Sequence, residues 1–242
     1  MYDKIRAELA PTGVLRAAIN MSNFLLVTDQ SENGNPVGVS PDMAYDIAEK
    51  LGVDVEFVLF KTPGEIADAA VDDVWDIANI GAEPERAKFI RFTTAYCEIE
   101  STYLVPAGST LQTVEEVDSP GNKISVYARA AYGLWLCDNI KHAELVKTDG
   151  MDASYQAFVE QKLDALAGLK PRLIKDAETL PGSRVLDGQF SAVQQAIGTK
   201  PDRVASGEFL QQFVDQAKSG GRVAELIEKH GVTGRLSVAG SG

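Results

Sequence analysis

Between residues 14 and 80 short β-branched runs alternate with helices whose ends are spelled out, and that order admits few folds. "VLRAAI" (14–19) reads as a buried strand. After the turn-rich "SENGNPVG" (31–38), Ser40 is placed to cap a helix with Pro41 at its first position. Met43, Ala44, Ile47, Ala48 and Leu51 line one face of that helix, and Gly52 closes it. "VDVEFVLF" (53–60) is strand-like, and Thr62-Pro-Gly-Glu65 is a capping box opening a helix to about Asp73. "WDIANI" (75–80) returns as a strand. The order β-α-β-α-β predicts a parallel sheet flanked by helices.

The pattern resumes after residue 100. "STYLVPAG" (101–108), "KISVYA" (123–128), "AELVKT" (143–148) and "LDALAG" (163–168) read as strands. Thr113-Val-Glu-Glu116 is a second capping box, and "AAYGLWLCDNIKH" (130–142) and "DASYQAFVEQK" (152–162) read as helices. Two further helices are expected near 203–219, closed by Gly220, and 222–230. The halves share no sequence repeat, so two α/β lobes of similar size are the natural organisation. Such lobes place ligands at the carboxyl ends of their strands. The segments of interest are therefore Asn20 to Val27, Gly81 to Arg86, Tyr127 to Tyr132, and Gly168 to Lys170.

Charge narrows the partners. With 23 Lys+Arg against 35 Asp+Glu and a net charge of −12, the balance argues against nucleic acid or an anionic membrane as the main partner, since both demand a basic face. No run reaches about 18 apolar residues, so no membrane insertion is expected. "MYDKIRAELAPTGVLRA" lacks the apolar segment of a signal peptide, which leaves a cytoplasmic chain or one whose leader has been removed. The terminal "GSG" suits a cloning remnant. Cys97 and Cys137 match no metal spacing and are expected as two buried free thiols, and His142 and His230 stand alone. No metal site and no cofactor are expected. No nucleophile elbow, phosphate loop, dinucleotide fingerprint or zinc-protease motif is present, so no catalytic residue is assigned.

In "NIGAEPERAKFIRF" (79–92) a strand breaks at Gly81 and Arg86 falls in the first turn of the helix that follows. Arg86 there is either a surface partner of Glu83 or Glu85, or the anchor of an anion site. A guanidinium offers a planar fork suited to a carboxylate, and a helix start adds partial positive charge.

At this point the chain resembles the bacterial extracellular solute-binding proteins of family 3, receptors of polar amino-acid ABC importers with the type II periplasmic-binding fold. The resemblance covers nearly the whole chain. It rests on "TGVLRAAI", "ENGNPVGVSPDMAYDIAEKLGVDVEFV", "WDI…PERAKFIRFTTAY", "DALAG" and "GRVAELIEKHG". It implies two α/β lobes joined by two hinge strands that close over a small solute. Lobe 1 would be 1–98 plus 195–242, and lobe 2 would be 99–194. It further implies a monomer in the periplasm, if a leader was removed, that docks on membrane permease subunits. By the same resemblance Arg86 clamps a ligand carboxylate, Phe24 stacks on the ligand, and the loop Ala128, Arg129, Ala130, Ala131 closes on the carboxylate. Gly81, Ala82, Tyr132, Gly168, Lys170 and Gln194, or its neighbour Gln195, complete the expected ligand-binding set.

The departures from the family pattern carry information too. Members that bind α-amino acids usually place an Asp after the "DA" strand to hold the ammonium. Here "DALAGLKPRL" offers Gly168, Leu169 and Lys170 instead. Arg129 stands where Gly followed by Ser or Thr is usual. Added cations and a missing acid predict a ligand with more than one negative group, or a carboxylate without an α-amino group. An inward-facing Glu83, Glu98 or Glu100 would bring an amine back into contention. Two alternatives share the fold: a lyase resembling cyclohexadienyl dehydratases, with one of these carboxyl groups as general acid, and a ligand-sensing regulatory domain.

Overall fold

The computed structural model describes residues 2–240, so Ser241 and Gly242 of the "GSG" tail lie outside the described residues. The chain divides into two compact units. One runs to Glu98 and resumes at Gln194; the other is Ile99–Val193. The chain passes from one unit to the other within two long strands, Cys97–Val105 and Ser191–Thr199.

The first unit is organised on Val14–Asn20. This strand pairs in parallel with Asp54–Phe60, from Val14↔Asp54 to Asn20↔Phe60, and with Ile77–Gly81 on its other side. The Gln195 to Gly198 stretch of Ser191–Thr199 then adds antiparallel to Ile77–Gly81, with Gln195 opposite Gly81. Buried Trp75, Ile66, Ala78, Ile80 and Ile90 form a core cluster against one face. The second unit repeats the plan. Lys123–Tyr127 lies parallel to Glu144–Thr148 and Ala165–Leu169, and Cys97–Val105 runs antiparallel to the latter from Ser101 to Leu104. Its core cluster holds Leu104, Phe158, Leu163, Leu166 and Leu173.

Several local expectations need correction. Ser40 is not the cap. The helix is Val39–Leu51 and Gly38 precedes it, while Ser40 is buried inside the first turn with Oγ donating to the Leu26 carbonyl at 3.3 Å. Gly38 is required by close approach, because a Cβ there would lie 2.1 Å from the same carbonyl oxygen. The Thr62 capping box forms as expected: Glu65 N–H donates to Thr62 Oγ1 and Thr62 N–H to the Glu65 carboxylate, both at 3.2 Å. Its helix is short, however, ending at Asp68 and tightening into a 3₁₀ turn over Ala69–Val71. The helix after Ala130 is Ala131–Asn139 and stops before His142. Asp118 draws the following chain away, its carboxylate accepting the N–H groups of Lys141, His142 and Ala143. Two helices escaped the sequence reading, Tyr2–Leu9 and Lys170–Glu178. Cys97 is buried, but Cys137 lies exposed on its helix rather than in the core.

Burial of one carboxylate ties the first unit together. Asp76 is fully buried and accepts Arg16 Nε and Nη2 at 2.9 Å each, the Arg16 backbone N–H at 3.1 Å, and Arg203 Nη1 at 2.9 Å. Removing the acid would leave two largely buried guanidinium groups with only the exposed Asp73 carboxylate opposite them, 3.4 Å from Arg16 Nη2 and 3.9 Å from Arg203 Nη2. Asp76→Ala is therefore expected to cost about 3 kcal/mol or more in chemical denaturation followed by intrinsic fluorescence. A second carboxylate, Asp42, accepts Lys229 Nζ at 2.7 Å and bonds His230 Nε2 at 2.8 Å, joining the first turn of Val39–Leu51 to the end of Arg222–Lys229. Burial works against its ionisation, but the Lys229 and His230 bonds outweigh that and hold it below the usual carboxylate range. With the folded value depressed, its stabilisation is complete above the ordinary carboxylate range and is lost as pH falls through the folded value. In a pH series of melting temperatures, Asp42→Asn should be the less stable protein at neutral pH, and the difference should shrink in acid.

Candidate functional site

The first unit brings one set of candidate residues together at the carboxyl end of a strand. Ile77–Gly81 is buried throughout, and Gly81 ends it. Pro84 then opens a single helical turn, Pro84–Ala87, preceded by Glu83 in an extended conformation. Arg86 on that turn is only 4% exposed, and its Nη1 donates to the Gly81 carbonyl at 2.7 Å. The bond orients the guanidinium at the strand end. Glu85 is engaged elsewhere, accepting from Lys88 Nζ. Ala82 N–H donates to the Gln194 carbonyl at 2.8 Å, which seats Gln194 beside the same break.

Phe24 lies in the turn that follows the neighbouring strand. Asn23 Oδ1 accepts the Leu25 and Leu26 N–H groups, both at 3.3 Å, and Asn20 Oδ1 accepts from Ser22. Such side-chain-to-backbone bonds stabilise a turn, here sending Leu25 and Leu26 into the core and leaving Phe24 half-buried. Asn79, unremarked in the sequence, is two residues before Gly81 and so on the same strand face. It is 1% exposed, and neither polar atom of its side chain has a partner among the described residues.

The second unit collects another set on two adjacent strands. After Lys123–Tyr127 come Ala128, Arg129 and Ala130, with Ala128 N–H donating to Thr148 O and Ala130 N–H to Tyr127 O. Arg129 is exposed, Ala128 half-buried and Ala130 buried. Helix Ala131–Asn139 follows, and Ala130 has no side chain that could cap it. The helix sits hard against the strand end: a Cβ on Gly133 would fall 2.0 Å from the Tyr127 carbonyl oxygen. Tyr132 is placed in the interior, and burial pushes its phenol well above the usual range. Gly168 lies within strand Ala165–Leu169 against Leu173 rather than in a loop. Leu169 ends that strand as a buried apolar side chain. Lys170 opens the next helix, and its Nζ donates to the Glu100 carboxylate at 2.6 Å. The Lys170 charge is thus offset by an acid 70 positions earlier, a pairing the sequence reading did not anticipate.

Among the described residues, no group of three or more His, Cys, Asp or Glu side chains is disposed to hold a metal ion, and no helix is long and apolar enough to cross a membrane.

Solved structures of similar fold include a mutant of ArgBP from T. maritima, at 21% identity and a TM-score of 0.73, covering 93% of this chain and 98% of that one. An ancestral amino acid-binding protein, named as a precursor of cyclohexadienyl dehydratase, matches at 22% identity and a TM-score of 0.72, covering 94% and 98%. The amino acid ABC transporter substrate-binding protein AbpA from Streptococcus pneumoniae, bound to L-arginine, matches at 20% identity and 0.73, covering 92% and 96%. These likenesses establish the fold. No curated protein sequence matches the chain. The model of one family matches residues 16–233, nearly the full length, and on that match the chain belongs to the bacterial extracellular solute-binding proteins, family 3.

Proposed function

We propose that the chain is the solute receptor of an ABC importer, and that it captures a small polar solute bearing a carboxylate. The observation that carries this reading is Arg86, a buried guanidinium fixed on the Gly81 carbonyl where a strand ends and a helical turn begins. A planar guanidinium fork held at a strand end fits a carboxylate better than a point charge would. Ala128, Arg129 and Ala130, at the uncapped start of Ala131–Asn139, would close on the same group as the lobe comprising 99–194 folds over that comprising 1–98 and 195–242. Closure is a population shift, paid for by contacts that the solute makes only in the closed state. The closed form would then dock on permease subunits from the periplasmic side. Phe24, Gly81, Ala82, Gly168, Lys170 and Gln194 would shape the remaining walls.

The test is a thermal-shift panel of amino acids, mono- and dicarboxylates, amines and small phosphates, since binding to the native state alone raises the melting temperature. Carboxylates are expected to stabilise the protein and simple amines are not. Arg86→Lys keeps the charge but loses the fork, and should weaken the best carboxylate by about 2 kcal/mol or more by calorimetry. Unchanged affinity in this variant would remove Arg86 as the anchor. Gly133→Ala should weaken binding as well, by displacing the loop that precedes the helix. A receptor also returns its ligand intact. Consumption of the stabilising compound, followed by NMR, would instead favour a lyase on this fold.

A further inference from the structure

A separate recess lies wholly within the unit Ile99–Val193, at the amino-terminal end of strand Ala165–Leu169 and so opposite to the end that Lys170 occupies. Its volume is about 280 Å³, and it has three walls. One is the end of helix Met151–Glu160, where Phe158 and Leu163 belong to the core cluster and Val159 is 41% exposed. The second is the turn from Leu180 to Ser183. Ser183 N–H donates to the Leu180 carbonyl at 3.0 Å across Pro181 and Gly182, and Gly182 has φ 79, as a type II turn requires. The third is Pro106 and Ala107, directly after strand Cys97–Val105. A Cβ on Gly182 would come 2.9 Å from Ala107 Cβ, so the second and third walls already touch. Bonds around the recess fix the walls. Tyr155 Oη and Thr179 Oγ1 share a hydrogen bond of 2.7 Å, and Arg184 Nη2 donates to the Ser109 carbonyl at 3.3 Å. The recess is preformed and predominantly apolar, as small-molecule sites usually are.

One residue on its rim is out of the ordinary. Helix Met151–Glu160 ends in a Schellman arrangement, with Leu163 N–H donating to the Phe158 carbonyl at 3.1 Å and Lys162 N–H to that of Val159 at 3.4 Å. Glycine is usual at the left-handed position of this motif, but here it is Lys162, at φ 52. Every other described residue with a left-handed φ is glycine. A side chain in that conformation costs backbone strain, and such outliers cluster at ligand-binding positions. Lys162 is exposed, is the one charged residue lining the recess, and meets no carboxylate among the described residues. We infer that the recess is a second ligand site, for a small molecule with an apolar body and a single carboxylate. The body lies against Phe158 and Leu163, and the carboxylate meets Lys162. At roughly 30 Å³ for each water-sized group, the volume admits about ten non-hydrogen atoms, which suits a short aliphatic or aryl acid and not a long lipid chain. The site is independent of Arg86, and no bond in the ligand is made or broken there.

The experiment is an amide-resolved NMR titration of the isotope-labelled full chain with phenylpropionate, hexanoate and the neutral analogue phenylpropanol. Carboxylates are also expected at Arg86, so binding is read by position and repeated in Arg86→Lys. Both acids should shift the amides of Ala107, Val159, Lys162, Leu163 and Ser183, in the wild type and in Arg86→Lys alike. Phenylpropionate should bind there about threefold or more tightly than phenylpropanol, the scale of one exposed ion pair. Lys162→Met keeps the aliphatic stem without the charge, and should bring the acid level with the alcohol while leaving the alcohol's affinity unchanged. Val159→Trp fills the recess from its exposed rim and should abolish the shifts, with circular dichroism confirming the fold of each variant. If the acids shift only amides around Arg86, or none up to their solubility, the inference fails. It fails too if Arg86→Lys removes the shifts or if Lys162→Met keeps the wild-type preference. Shifts of the same amides with protein concentration alone would mean that a second copy of the chain covers the recess, which overturns the small-molecule assignment.

Discussion

The buried Asp76 carboxylate, with Arg16 and Arg203 closing on it, is the constraint from which the first unit is built. It joins the strand Val14–Asn20, the residue immediately before Ile77–Gly81, and the approach to helix Val204–Ser219, reaching 127 positions along the chain. Backbone bonds reinforce the same point: Asp76 N–H donates to the Arg16 carbonyl, and Thr199 Oγ1 donates to the carbonyl of Asp76. With the strands pinned at their amino-terminal ends, the opposite ends keep a fixed register. Gly81 can then stop a strand and offer its carbonyl to Arg86. One buried ion cluster therefore lies at one end of the strands, while the Arg86 guanidinium is held on the Gly81 carbonyl at the other.

What could be read from the sequence follows the range of the interaction that fixes each feature. Local chemistry was legible, as with the Thr62–Glu65 capping box, the apolar stripe of Val39–Leu51 and the alternation that gives each unit its parallel sheet. The Lys170–Glu178 helix was not. It begins without a capping side chain, and only Leu173 and Asp176 on it are buried, so Pro171 in its first turn is a start signal that no apolar stripe supports. The cap before Val39–Leu51 was misplaced for a non-local reason: Gly38 and Ser40 both answer to the carbonyl of Leu26.

The candidate site divides along the same line. Arg86 was visible because a strand, a Gly break and Pro84 lie within ten residues of one another and match a known pattern. The pairings that set the charge around it were hidden, since Gln194 reaches Glu98 across 96 positions and Lys170 reaches Glu100 across 70. Counting acids and bases near a motif gives the inventory of charges, not which of them cancel. That cancellation decides what kind of ion the site asks of its ligand.

The two cysteines bear on how solute binding by this chain can be observed. Cys97 is buried, and its thiol is pushed well above the usual range by burial, with the Glu98 charge adding to the effect, so it stays protonated and shielded from reagents. Cys137 stands exposed on the helix that begins just after Ala130. The native sequence thus carries a single addressable attachment point for a maleimide fluorophore, one helix away from the loop proposed to grip the solute. The unmutated protein is in that respect already a scaffold for an optical biosensor of whatever it binds.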